Sequence, residues 1–272
     1  MSSSTQTLEL PGYQVMQFLG SGARSTIWQV RDTRTHEVFA LKRVVKHDAS
    51  DLRFLEQAVN EYDVASRLDH KVIRKVHHLR RVKKWMSLRE VLLVMELCDG
   101  SNVQSERPTE IPEIIRIFSE VAGALAYMNS QGFVHADMKP NNIIVSPSGA
   151  VKIIDLGQSC TIGTVKQRIQ GTPDYIAPEQ VLRRPLDART DVFNFGASLY
   201  WTITGKPIPT CLPKTGGAVL ITDQAVPLPE ELNPATPIPL SRLVMDCIQI
   251  QPNRRPATMT EVASRLSVVA LV

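Results

Sequence analysis

His135-Ala136-Asp137-Met138-Lys139-Pro140-Asn141-Asn142, followed by Asp155-Leu156-Gly157, decides how this chain is read. The stretch sets a carboxylate (Asp137), an ammonium (Lys139), an amide (Asn142) and a second carboxylate (Asp155) within a short span. Between its halves, Ile143-Ile144-Val145 and Val151-Lys152-Ile153-Ile154 are short β-branched runs joined by Pro147-Ser148-Gly149, which predicts a hairpin. Such a hairpin folds Asp155 back beside Asp137 and Asn142. A carboxylate to accept a hydroxyl proton, an oxygen-ligand pair for Mg²⁺ and a cation for developing charge make up the kit that phosphoryl transfer from a nucleotide needs.

At these residues the chain resembles the eukaryotic-type serine/threonine protein kinases, whose pattern is H-R-D-L-K-x-x-N and then D-F-G. Two departures stand out: Ala136 where an Arg is usual, and Leu156 where a Phe is. An isolated Asp is most often a helix cap or a solvated loop residue. The whole string, at this spacing and followed by Asp155-Leu156-Gly157, is far harder to obtain by chance.

Working outward toward the amino terminus, residues 13–45 read as three strands: Gln14–Leu19, Thr26–Val30 and Val38–Val45. The first connection, Gly20-Ser21-Gly22-Ala23-Arg24-Ser25, is a glycine turn whose backbone amides can approach phosphate oxygens. Alone, two such glycines usually mark a simple turn. Here they resemble the kinase glycine-rich loop, with Ser25 in place of the third glycine and Arg24 at the usual aromatic tip. Ala40-Leu41-Lys42 resembles the element of the third strand that carries the phosphate-contacting lysine. By that resemblance Lys42 contacts the α- and β-phosphates, with Ile27 and Ala40 as apolar lids over an adenine.

Residues 51–69 have helical spacing, with Leu55, Ala58, Val59, Tyr62 and Ala65 on one face. Glu56 and Glu61 compete for the place of the glutamate that orients Lys42. Five positions put them roughly 140° apart around a helix, so only one can face the lysine; the resemblance favours Glu61. Residues 71–89 carry Arg74, Lys75, Arg80, Arg81, Lys83 and Lys84 around Trp85. The plain reading is the solvated side of a strand pair, and no nucleic-acid partner is expected from it. A strand over 90–97 follows, with Met95 at the back of the nucleotide pocket and Leu97-Cys98-Asp99-Gly100 as a hinge. The periodicity of Ile114, Ile117, Phe118, Val121, Leu125 and Met128 predicts a long helix over 111–131.

Downstream, Gly171-Thr172-Pro173-Asp174-Tyr175-Ile176-Ala177-Pro178-Glu179 resembles the end of a kinase activation segment. Arg255 stands where the family has an arginine paired with that glutamate. Asp191 resembles the residue that supports the catalytic loop from below, with a helix cap as its alternative reading. Eight prolines and Gly216-Gly217 fall between 205 and 239. That density predicts irregular, exposed chain and a short or missing helix. Closing helices are predicted over 240–248 and 259–269.

At 272 residues, with 43% hydrophobic and 21% charged, the composition is that of a globular protein, and a net charge of +4 is too mild to imply a nucleic-acid binder. Cys98, Cys160, Cys211 and Cys247 show no metal spacing and read as reduced thiols in a cytoplasmic setting. No run approaches the roughly twenty apolar residues of a membrane helix. Val268–Val272 reads as the apolar face of a last helix, or else as the edge of a longer chain that continues to an anchor.

The resemblance implies an α+β, two-lobed protein kinase fold: a small lobe of antiparallel sheet plus one helix at about 13–96, a hinge at 97–100 and a larger, mainly helical lobe at 101–272. It implies ATP between the lobes and a protein substrate with a Ser or Thr acceptor, autophosphorylation included. It makes Asp137, Lys139, Lys42 and Glu61 the catalytic group and Asn142 and Asp155 the Mg²⁺ ligands. Gly20, Gly22, Ser25, Ile27, Ala40, Lys42, Met95, Glu96, Cys98 and Ile144 become the nucleotide contacts. Two other classes share this outline: a pseudokinase acting as a nucleotide-binding scaffold, and a small-molecule kinase.

Overall fold

Alternating apolar residues and tight turns build the first part of the chain into one antiparallel sheet. The computed structural model describes residues 10–22, 24–209, 212 and 226–271. Ala23, Cys211, Pro213 and Gly216-Gly217 therefore lie outside the described residues, as do the first nine residues and Val272. The chain divides into two compact units, one of Met1–Arg67 with Arg74–Cys98, the other of Leu68–Ile73 with Asp99–Val272.

In the first unit, β1 (Tyr13–Ser21), β2 (Ser25–Asp32), β3 (Val38–Val45), β4 (Val76–Lys84) and β5 (Ser87–Glu96) form a five-stranded sheet of order β1-β2-β3-β5-β4. One helix, α1 (Leu52–Ala65), is entered through a turn that Asp48 and Asp51 cap reciprocally. Val44, Leu55, Ala58 and Val91 close the apolar contact between helix and sheet. α1 stops at Ala65, short of the predicted 69, because Leu68, Val72 and Ile73 are buried in the other unit. There the Ile153 amide donates to the Val72 carbonyl and Tyr127 receives the Asp69 amide. The first unit is thus interrupted in sequence at residues 68–73, within the span of about 13–96 that the resemblance gives to a small lobe.

The second unit is mainly helical. It contains β6 (Ser101–Asn102), α2 (Ile111–Ser130), β7 (Phe133–Val134), β8 (Ile143–Val145), β9 (Val151–Ile153), β10 (Cys160–Thr161), α3 (Pro178–Val181), α4 (Ala188–Thr204), α5 (Pro229–Leu232), α6 (Ile238–Cys247) and α7 (Met259–Val269). α2 shows the predicted stripe, with Ile114, Phe118, Val121 and Leu125 fully buried. α4 is buried on nearly every side over Thr190–Tyr200 and ends at Gly205, whose φ of +71° makes the left-handed cap that glycine adopts without a Cβ penalty. Gly100 is needed for a different reason: a Cβ there would lie 2.1 Å from the Val145 carbonyl oxygen of the β8–β9 hairpin. Between Gly205 and Pro239 the described residues hold only the one-turn α5 and the start of α6, in keeping with the proline density. Among the described residues no helix is long and apolar enough to cross a membrane.

Candidate active site

The loop from His135 to Asn142 is shaped from below by one buried carboxylate. Asp191, wholly buried in α4, accepts the backbone amides of His135 (3.0 Å) and Ala136 (2.9 Å) and the Asn129 side-chain amide (2.8 Å). Burial pushes the Asp191 carboxyl up, while His135 and these donors favour its charge. It does not cap the helix. That work falls to Asp187, whose carboxylate accepts from the Arg189 amide. Ala136 takes a left-handed backbone, φ +61°, costing about 1 kcal/mol. Gln180 holds its carbonyl at 2.7 Å, and Ser198 holds that of Met138 at 3.1 Å. The loop is therefore fixed at successive peptides before any reacting group is considered.

That fixed backbone presents three side chains to one another. Lys139 Nζ donates to Asp137 Oδ2 (2.8 Å) and to Thr172 Oγ1 (2.7 Å), and Thr172 donates in turn to Asp137 Oδ1 (2.9 Å). Asp137 is 7% exposed. Burial pushes its carboxyl up, the Lys139 ammonium opposes that rise, and the nearby Asp155 charge adds to it. The Asn142 amide nitrogen donates to the Asp137 carbonyl at 2.9 Å. β8 and β9 pair as the predicted hairpin, with Ile143 opposite Ile153, and the Ile154 amide reaches the Asn142 carbonyl at 2.9 Å. Asp155 follows in a left-handed conformation, φ +65°, with its Oδ1 accepting the Gly157 amide. The expected set of Asp137, Lys139, Asn142 and Asp155 is thus gathered within one unit, with Thr172 as an addition. Thr172 lies 35 positions along the chain from Asp137, and nothing in its sequence context pointed to a contact with that carboxylate.

In the sheet unit, Lys42 on β3 pairs with Glu61 of α1 at 2.6 Å. Glu61 is 1% exposed, whereas Glu56 faces solvent. A second cation was not foreseen: Arg74 Nη2 lies 2.7 Å from Glu61 Oε1, so the buried carboxylate is held by two partners. The run of basic residues around Arg74 gave no reason to separate it from its solvated neighbours. Ile27, Ala40 and Met95 belong to one apolar cluster with Leu93 and Leu97. Gly20 sits at a register shift of β1, and the Gly22 amide closes a turn on the Ser25 carbonyl at 2.8 Å. Arg24 binds Asp51 at 2.6 Å, which turns it to the helix start. Glu96 ends β5 and accepts the Lys75 amide, Cys98 Sγ lies 3.9 Å from the Glu96 carbonyl, and Ile144 is half-buried in β8.

The sequence of this chain matches a family model described as protein kinase domain over residues 13–266. It is 30% identical over 266 residues to a probable serine/threonine-protein kinase of Clostridium acetobutylicum, covering 94% of this chain and 39% of that protein. It is 28% identical to the serine/threonine-protein kinase PknA of Mycobacterium tuberculosis (82% and 54% covered) and 29% identical to cAMP-dependent protein kinase type 3 of Saccharomyces cerevisiae (72% and 49%). The chain spans roughly two-fifths to a half of the length of these curated relatives.

Proposed function

The chain belongs to the protein kinase family, and from that premise we propose that it transfers the γ-phosphoryl group of ATP to a Ser or Thr hydroxyl of a protein. The observation that carries the reading is the closed triangle of Asp137, Lys139 and Thr172. Asp137 orients the acceptor hydroxyl and takes its proton as the new P–O bond forms, and the old P–O bond breaks toward ADP. Lys139 stabilises charge on the transferring group. Lys42, held by Glu61, positions the α- and β-phosphates, with Gly20, Gly22 and Ser25 as further contacts to the nucleotide. Ile27, Ala40, Met95 and Ile144 take the adenine, with Glu96 and Cys98 beside it.

Mg²⁺ prefers one or two protein oxygens and completes its shell with phosphate and water. Asn142 and Asp155 fit that demand: the Asn142 amide nitrogen is already committed, and its oxygen has no hydrogen-bond donor among the described residues. When bound, the ion supplies charge neutralisation at the phosphates. Against a pseudokinase, every group that handles proton, phosphate or metal is a competent residue. Against a small-molecule acceptor stands the Gly171–Glu179 ending, whose likeness is to peptide-docking kinases. The free thiols of Cys98, Cys160 and Cys247 accord with a reducing, cytoplasmic setting. ADP release with Mg²⁺ and ATP, with and without a generic protein substrate, is the test. Radiolabel entering Ser or Thr supports the proposal, and ATP binding without turnover overturns it.

A finer reading concerns control. Where kinases carry Arg in place of Ala136, a phosphate added to the activation segment pairs with that cation and orders the loop. Here Ala136 is buried with Val134, Leu186 and Cys160, and its side chain offers no donor. The segment is tied by unmodified backbone instead: β10 pairs with β7, Ile162 donates to Gly132, Gly163 to Leu186, and Leu186 to Thr164. Thr161 and Thr164 are hydrogen-bonded to each other, and Lys166 is committed to the Gln158 carbonyl at 2.8 Å. We therefore expect the rate to be independent of phosphate on this segment. Phosphatase-treated protein, Thr161→Ala and Thr164→Ala should each stay within tenfold of untreated protein. A larger fall, above about 1.4 kcal/mol of barrier, refutes the idea.

A further inference from the structure

The β4–β5 hairpin ends in a two-residue loop, Trp85-Met86, closed by the Lys84–Ser87 pair. Both loop side chains stand almost wholly in solvent, at 93% and 96% exposure. Exposed apolar residues are normally single and partial; two adjacent ones fully exposed at a projecting tip mark a contact surface. Trp85 also lies at φ +57°. Two-residue hairpin loops give that conformation to Gly, Asn or Asp, and a bulky side chain rarely adopts it.

Around the tip the charge is one-sided. Arg80, Arg81, Lys83 and Lys84 on β4 and Arg89 on β5 are exposed, and none of the five has an ion-pair partner among the described residues. Glu90, the nearest carboxylate along β5, is taken by Arg43. Residues 71–89 hold eight of the 31 Lys and Arg and none of the 27 Asp and Glu, so the +4 of the chain conceals −4 outside this segment. β4 is an outer strand of its sheet, and cations on such a strand guard against pairing with another chain. That accounts for the lysines and arginines. It does not account for an indole and a thioether held out beyond them.

We propose that this hairpin docks on an anionic bilayer surface, with Trp85 and Met86 entering the boundary between headgroups and acyl chains. Arg80, Arg81, Lys83, Lys84 and Arg89 would lie against lipid phosphates and carboxylates. Indole is amphipathic and favours that boundary, and each cation near an anionic surface adds attraction. A nucleic-acid strand is the other polyanion to weigh, and the tip fits it less well. Strand binding uses successive aromatic platforms, and Met86 offers neither a ring to stack on a base nor a donor to read its edge.

The test is co-sedimentation of the chain with vesicles of phosphatidylcholine, with and without phosphatidylserine, at about 0.1 M salt, where surface charges still act over about 10 Å. Wild-type chain should sediment with the phosphatidylserine vesicles and stay in solution with the others. Lys83→Gln combined with Lys84→Gln should lower partitioning roughly 30-fold. Trp85→Ser combined with Met86→Ser should lower it by about tenfold or more. Both double variants should keep the thermal midpoint and the vesicle-free ATP turnover of wild type, since these residues touch none of the phosphoryl-transfer groups. No sedimentation of wild type, equal binding to neutral vesicles, or double variants that bind like wild type would each overturn the proposal. So would retention on single-stranded polyuridine without vesicle binding, which assigns the patch to nucleic acid. Sedimentation is read without ATP, so its failure is distinct from failure of the kinase reading.

Discussion

Asp155→Asn and Lys42→Met are each expected to lower the phosphoryl-transfer rate by about 10²-fold or more while leaving the protein folded. The size follows from removing a preorganised charge at the place where charge develops in the transition state. The folding half of the expectation rests on local geometry. Asp155 sits at φ +65°, and Asn is one of the few residues that tolerates that conformation without added strain. Lys42→Met removes one partner of the buried Glu61, but Arg74 remains bound to it at 2.7 Å. The carboxylate is therefore not stranded in the interior, which is the circumstance that makes such losses severe. Steady-state rates with ATP and Mg²⁺, read beside thermal melts, decide the matter. Wild-type turnover in either folded variant would remove the proposed site.

What the sequence made legible was whatever could be read at short range. The catalytic string and its hairpin lie within about twenty residues, so spacing alone brought Asp137, Asn142 and Asp155 together. A helix's period allowed only one of Glu56 and Glu61 to face Lys42, and the resemblance chose Glu61. What was left open or missed has a different origin. Asp191 left a helix cap open as its alternative reading because the amides it accepts, those of His135 and Ala136, lie more than fifty positions upstream. Arg74 was grouped with solvated lysines because its partner is on another element. Thr172 reaches Asp137 across 35 positions, a distance at which a hydroxyl carries no local signature. Residues 68–73 were counted with the sheet because they follow α1 in sequence, although their apolar side chains are buried with the helical unit. Long-range polar contacts, more than apolar patterning, are what a single sequence conceals.

Arg255→Ala is expected to destabilise the protein by about 3–5 kcal/mol, the range found when one partner of a buried ion pair is removed. Arginine has five N–H donors, and here all are used. Nη1 donates to Glu179 Oε1 (2.8 Å) and the Arg189 carbonyl (2.8 Å), and Nη2 to Glu179 Oε2 (2.9 Å) and the Ile250 carbonyl (3.0 Å). Nε donates to the Gln249 carbonyl at 2.7 Å, and the guanidinium also lies 4.8 Å from the centre of the Phe193 ring. The Arg255 side chain is wholly buried and that of Glu179 nearly so. Alanine would strand the carboxylate and take a donor from three carbonyls at once, leaving the Thr190 hydroxyl, at 2.9 Å, as the donor to Glu179 among the described residues. Arg255→Lys should recover little, because an ammonium cannot reproduce the two-pronged fork. The double change Glu179→Ala with Arg255→Ala should cost clearly less than the two single changes added together, since the second removal takes away the stranded charge. Urea denaturation of the wild type and these four variants measures all of this. A loss below about 1 kcal/mol for Arg255→Ala, the scale of a solvent-exposed pair, would show that the fork does not hold the segment ending at Glu179 against α4 and the turn before α7.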